Sequence, residues 1–286
     1  MKALKKNDLE KNTQSTDTRR PAVSVIIAVY NKPDFLEKIL ESLKNQSFAS
    51  FEVVVADDGS GPEIQEIISR YQDGFSFPIQ HIWHEDKGFR KTIIANKAVL
   101  VAKADYLVFI DGDSICHHRF IESHFKHRKL NTVLSGRRIM LDEELTKRVT
   151  LEDVRLKRLE KISYWANHCE RADLKHGFFV PILFFLENFF RIKYSILGCN
   201  FSVHKNDYCS VNGYDERIIG RGMEDSNLDA RFKLKKIKIK TLTRQALQYH
   251  LFHHFDPVPH SPEAIQQFCF PKEFWTEHGI SKDRLK

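Results

Sequence analysis

Residues Tyr106–Asp113 read YLVFIDGD, an apolar run from Tyr106 to Ile110 that ends in two aspartates separated by one glycine. An apolar run without alternation marks a strand covered on both faces, as in a parallel sheet. Asp111 and Asp113 then fall where that strand ends, at the edge where open α/β sheets collect their ligands. With Gly112 letting the backbone turn tightly, carboxylates at i and i+2 can hold one divalent cation. Asp-Gly-Asp is also a common capped turn, so the surrounding sequence decides between the two.

Working outward, three further runs begin at Val23 (VSVIIAV), Phe51 (FEVVVA) and Ile79 (IQHIW), about 28 positions apart and ending with Tyr106. That interval is one strand plus one crossover helix, the repeating unit of a parallel sheet. The intervening segments carry helical signatures. Pro33 suits a first helical position and Asp34 the positive helix end, while Leu36, Ile39, Leu40 and Leu43 recur at helical spacing. Pro62 opens a second helix with Ile64, Ile67, Ile68 and Tyr71, and a third runs from about residue 90 to 102. The class is α/β, with a doubly wound sheet. Each strand runs into polar residues: Tyr30-Asn31, Asp57-Asp58-Gly59-Ser60, the loop His84 to Arg90, and Asp111-Gly112-Asp113. Polar ends on successive strands build a site, which favours the cation-holding reading of the aspartate pair.

Bulk properties narrow the partners. A net charge of +7 and a pI near 9 suit an anionic partner such as a nucleotide. No zinc-finger spacing, RNP-type strand or basic reading helix is present, which argues against nucleic acid. Five cysteines without a C-x-x-C pair argue against a disulfide framework or structural zinc and fit a reducing compartment. Residues 1–20 are polar and read as a disordered basic tail, with no signal-peptide core. No run of 18 apolar residues predicts a spanning helix, so a cytoplasmic protein is expected.

The regular alternation stops near residue 117. Residues 117–195 are expected to form a helical insertion. Within and just beyond it, residues 177–198 (GFFVPILFFLENFFRIKYSILG) hold six phenylalanines. They read either as a buried helix under a loop or as an amphipathic helix on a membrane. In the second case Phe184, Phe185, Phe189 and Phe190 enter the acyl boundary and nearby lysines meet anionic heads.

The strings VSVIIAVYNKPDFLEKILESLKNQ, VVVADDGS and YLVFIDGD together resemble the nucleotide-sugar half of family 2 glycosyltransferases with the GT-A fold. DKGFRKTIIANKAV is similar to the subgroup that contains the bacterial chondroitin polymerase. Gly213-Tyr214-Asp215-Glu216 and Gly220-Arg221-Gly222-Met223-Glu224-Asp225 resemble the acceptor motif of those enzymes and of β-1,4-galactosyltransferases. The resemblance covers residues 21–116 and 196–256 of one domain, 21–286, leaving 257–286 as a C-terminal extension. It implies a Rossmann-like, mostly parallel sheet and an inverting, metal-dependent hexosyltransferase. The implied donor is a UDP-sugar carrying a hexose or N-acetylhexosamine. The implied acceptor is a glycan or lipid-linked oligosaccharide of lipopolysaccharide, O-antigen or capsule assembly.

The resemblance also assigns residues. Asp113 is the direct metal ligand and Asp111 a ribose or metal contact. His250 is the third ligand with His253 as its alternative, and this nitrogen donor makes Mn²⁺ a better fit than Mg²⁺. Val29, Tyr30 and Gly112 belong to the nucleotide-sugar pocket, as does Asp58 or, less well, Asp57. Lys87 and Arg90 bring positive charge to the diphosphate or uracil. Asp225 is the base, Glu224 holds a sugar, and Arg221 stands where an aromatic is common. A nucleotidyltransferase would need a glycine- and lysine-rich loop after the first strand, and AVYNKP is not one. A sugar-binding module without activity would have no need of the full set of carboxylates and histidines.

Overall fold

A computed structural model describes residues 20–189, 195–254 and 258–281 of the chain. The four apolar runs are strands: β1 (Val23–Val29), β2 (Phe51–Asp57), β3 (Ile79–Trp83) and β4 (Tyr106–Asp111). They lie parallel in the order β3-β2-β1-β4. Their register positions the site: Val29 pairs with Asp57, and Ala28 with Asp111. All polar strand tails therefore emerge at one edge of the sheet.

Consecutive strand residues face opposite sides, so one strand feeds two cores. Val25 and Ile27 pack with Leu36, Leu40, Ile64 and Ile68 from the helices Pro33–Lys44 and Pro62–Gln72. Ile26 and Val54 pack on the other face with Ile94 and Ala98 of the helix Lys91–Val101 and with Leu228 and Phe232 of the helix Glu224–Leu234. Burial on both faces is why these strands read as continuous apolar runs.

Six shorter strands complete the fold: β5 (Ser114–Cys116), β6 (Thr132–Ser135), β7 (Arg137–Met140), β8 (Asn200–His204), β9 (Lys238–Thr241) and β10 (Leu247–His250). The main sheet runs β3-β2-β1-β4-β8-β6-β9, and only β8 is antiparallel to its neighbours. A second sheet, β5-β10-β7, stands at the end of β4. The mostly parallel α/β architecture is the expected one. The helical insertion is not wholly helical, because residues 117–195 also supply β6 and β7. At four residues each, these strands are too short for periodicity to distinguish them.

The phenylalanine-rich segment forms one short helix, Leu183–Phe189. Phe184 is buried, whereas Phe178, Phe185 and Phe189 are exposed, so the buried-helix reading holds for Phe184 only. Phe190 lies outside the described residues, as do residues 1–19 of the expected tail. Arg20 is anchored, with its guanidinium donating to the Lys103 carbonyl at 2.5 Å and to Asp105 at 2.7 Å. No helix among the described residues is long and apolar enough to cross a membrane.

Candidate active site

The strand ends open into a cavity of about 510 Å³. Val29, Tyr30, Asp58 and Asp111 to Asp113 form one wall, and Glu224, Asp225, His250 and His253 come from the second half of the chain. Ten of the residues singled out from the sequence thus share one space.

Consecutive aspartates at the end of β2 have separate tasks. Asp57 is buried and accepts from the Ser60 amide at 2.8 Å and His81 at 2.9 Å, which fixes the turn. Asp58 faces the cavity and is held by His84 Nε2 at 2.7 Å and by the Arg90 amide at 2.8 Å. Burial raises its pKa above the ordinary value, against the opposing pull of those two hydrogen bonds.

Gly112 is required by close approach. Its amide donates to the Ala28 carbonyl at 2.7 Å, and a Cβ there would lie 2.7 Å from Val29 Cγ1. Beside it, Asp111 forms an ion pair with Lys91 at 2.5 Å. Burial disfavours the charge on Lys91, yet the carboxylates of Asp111, Asp225 and Glu224 prevail and hold its pKa above the usual lysine range. Lys91 therefore ties the end of β4 electrostatically to Glu224 and Asp225 across the cavity.

Antiparallel pairing of β5 with β10 sets His250 opposite Ser114, one residue after Asp113. His250 Nε2 lies 3.4 Å from Asp113 Oδ1, and His253 Nε2 lies 3.0 Å from Oδ2. Both imidazoles converge on one carboxylate. Burial alone would raise the Asp113 pKa, but the two histidine hydrogen bonds hold it well below the usual carboxylate range. His250 Nδ1 is buried without a hydrogen-bond partner, which leaves Nε2 as the nitrogen that engages the site. The three ligand atoms lie within 4.8 Å of one another. One carboxylate and two imidazoles at that spacing fit a single borderline divalent cation.

A second grouping, His117, His118 and Glu160, lines no part of this cavity. The Arg119 amide donates to His117 Nδ1 at 3.1 Å, so the ring proton is on Nε2, toward Glu160. His118 donates to the same carboxylate at 2.7 Å. Glu160 also accepts from the His118 amide at 2.8 Å, so its carboxylate is already committed to the chain.

Across the cavity, the helix Glu224–Leu234 begins with its two acids, at the end where backbone amides favour negative charge. Glu224 accepts from the Gly222 amide at 2.7 Å. Asp225 accepts from the Gly198 amide at 2.7 Å and from the Tyr214 hydroxyl at 3.3 Å. Gly198 has no side chain because a Cβ there would collide with the Asp225 carboxylate. Burial pushes the Asp225 pKa up to about 6, with Lys91 pulling it down and Glu224 and Asp111 pushing it further up. A carboxylate titrating there can accept a proton near neutral pH.

Lys87 and Arg90 are not brought to the cavity lining. Lys87 pairs with Glu85 in solvent, and the Arg90 guanidinium donates to the Glu85 carbonyl. The lining holds Arg221 and three cations that sequence reasoning passed over, Lys32, Lys91 and Arg138. Arg138 Nη1 donates to Cys199 Sγ at 3.4 Å, and Arg221 lies over the Phe89 ring at 5.3 Å. The one available signal was position, since Lys32 and Lys91 directly follow polar strand tails.

A family model described as glycosyl transferase family 2 matches residues 24–186, more than half of the 286-residue chain. The chain belongs to glycosyltransferase family 2. A second model, the N-terminal domain of galactosyltransferase, matches residues 184–255, which carry Glu224, Asp225 and the histidines. Among individual relatives, the validoxylamine A glucosyltransferase of Streptomyces hygroscopicus subsp. jinggangensis is 32% identical over 105 residues, 36% of this chain and 24% of that protein. The chondroitin synthase of Escherichia coli is 28% identical over 123 residues, 42% of this chain and 18% of that one. The hyaluronan synthase of Pasteurella multocida is 30% identical over 103 residues, 36% and 10%. The matched part is under a quarter of each relative's length.

Among solved structures, a Pyrobaculum calidifontis mannosyltransferase in complex with GDP-Man and Mn²⁺ superposes with a TM-score of 0.54 at 14% identity. It covers 82% of this chain and 58% of its own. S. aureus TarS gives 0.52 at 19% identity, over 80% and 36%. At such identities the likeness is one of fold, and this family 2 chain has the GT-A fold.

Proposed function

We propose that this family 2 chain is an inverting hexosyltransferase that moves a hexose or N-acetylhexosamine from a UDP-sugar to a glycan or lipid-linked oligosaccharide. The setting we assign is lipopolysaccharide, O-antigen or capsule assembly at the cytoplasmic face of the inner membrane. One observation carries the reading: the Asp113-His250-His253 donor set and a proton-accepting Asp225 line the same cavity. Asp113, His250 and His253 would hold a divalent ion, which we assign as Mn²⁺ over Mg²⁺ for its tolerance of nitrogen ligands. When bound, the ion supplies positive charge to the diphosphate leaving group.

The remaining steps belong to the chain's own residues. Val29, Tyr30 and Asp58 form the pocket for the base and ribose, and Asp111 and Gly112 contact the donor at the strand end. Asp225 takes the proton from the acceptor hydroxyl as that oxygen attacks the anomeric carbon. The anomeric C–O bond breaks on the opposite face, and its electron pair leaves with the diphosphate, beside Lys32, Lys91 and Arg138. Attack opposite the leaving group inverts the configuration. Glu224, held by the Gly222 amide, orients a sugar hydroxyl.

Thermal unfolding with UDP, with and without Mn²⁺, tests the donor side. Stabilisation by UDP that requires the metal is expected, and its absence would remove the nucleotide-sugar reading. A screen of UDP-sugars for metal-dependent hydrolysis then identifies the donor.

A further inference from the structure

Three apolar side chains of the helix Leu183–Phe189, and Ile182 just before it, face outward. Ile182, Phe185, Leu186 and Phe189 are 69%, 65%, 47% and 79% exposed. Those positions are i, i+3, i+4 and i+7, one continuous stripe along a helix. Phe184, out of phase with the stripe, is the residue that fastens the segment. Its ring lies 3.9 Å from that of His127, and Lys240 is 5.9 Å from its centroid. The helix packs on β9, the edge strand that carries Lys238 and Lys240. Lys126, Arg128, Lys129 and Lys238 are exposed around this anchor, and the β6–β9 pairing sets Lys238 beside Thr132, just after Arg128 and Lys129.

We infer that this face docks on an anionic lipid bilayer, with the Ile182–Phe189 stripe entering the acyl boundary and the surrounding lysines and arginine meeting acidic head groups. An apolar helical stripe flanked by cations is the arrangement that binds such a surface. A neutral partner would leave these cations uncompensated. A chain docked in this way would share its bilayer with a lipid-anchored acceptor. In naming that source of acceptor, the inference rests on the transferase reading above. The docking itself does not depend on it.

Flotation of the full chain with vesicles tests the docking without any chemistry. The probes are phosphatidylcholine vesicles and phosphatidylcholine vesicles with about 30 mol% phosphatidylglycerol. Wild type is expected to float with the acidic vesicles and about tenfold less with the neutral ones. Phe185→Ser with Phe189→Ser, and separately Lys126→Glu with Lys238→Glu, should each reduce binding roughly tenfold. All four side chains are exposed, so the variants should melt as wild type does. Absence of wild-type binding, or binding unchanged by the phenylalanine pair, would overturn the inference. So would a dimer in sedimentation velocity that the phenylalanine substitutions dissolve, since the stripe would then serve a second copy. Metal-dependent stabilisation by UDP without vesicle binding would sink the docking and keep the transferase reading. The opposite result would do the reverse.

Discussion

Replacing Asp225 by asparagine should stabilise the protein while disabling it. The asparagine amide can still accept from Gly198 and face Tyr214, so the local hydrogen bonds survive. What disappears is a charge that burial and two neighbouring acids disfavour. The folded-state pKa of about 6 lies above the ordinary 3.8. At about 1.4 kcal/mol per pKa unit, charging Asp225 in the folded state costs about 3 kcal/mol. Residual solvent contact reduces this to about 2 kcal/mol. The sign follows from the raised pKa: the folded protein binds this proton more tightly than the unfolded chain. Wild type is therefore unpenalised below about pH 4 and loses stability as pH rises through about 6. In the metal-free protein, melting temperatures of wild type and Asp225→Asn should coincide at pH 4. By pH 8 they should separate in favour of the variant by about 5 °C. Transfer by the variant should fall about 10²–10⁴-fold with UDP binding retained, and wild-type kcat/KM should decline below about pH 6. A melting difference that does not change with pH would refute the electrostatic argument, and retained transfer would remove Asp225 as the base.

Four other substitutions follow from contacts described above. His250→Ala and His253→Ala should each weaken Mn²⁺ binding in the presence of UDP by at least about tenfold, measured by titration calorimetry; unchanged affinity would exclude that residue as a ligand. Gly112→Ala forces a methyl against Val29 and should cost about 1–3 kcal/mol in denaturant unfolding, with weaker UDP binding. Lys91→Met removes the cation that restrains Asp225, so the acid limb of the pH–rate profile should move upward; an unmoved limb would show that Lys91 acts elsewhere.

The first half of the fold was legible because burial on both faces of a parallel sheet leaves a conspicuous trace. Val23, Phe51, Ile79 and Tyr106 open their strands where the apolar runs begin, and Pro33 and Pro62 open their helices. β5, β7 and β10 have only three or four residues, too few for a pattern, yet they bring Arg138 and His250 to the cavity. The cavity lining takes Lys91 and not Arg90 for a helical reason. Successive helix residues point about 100° apart, so a one-residue difference in where the helix starts decides which side chain faces the site. The helix starts at Lys91, which enters the cavity, while Arg90 turns back to the loop. Asp57 and Asp58 were separable in part, because β-strand alternation sends neighbours to opposite sides but does not say which side holds the cavity.

The pairing of β5 with β10 also bears on how the protein is made. His253 stands 140 residues after Asp113. A ribosome finishes β1 to β4 long before it produces the two histidines that complete the imidazole-carboxylate cluster. Until Leu228 and Phe232 are added, the face of the sheet carrying Ile26 and Val54 also lacks part of its core. Completion of the cluster therefore waits on the same late part of the chain that closes the second core, and a chain cut short before His253 lacks it.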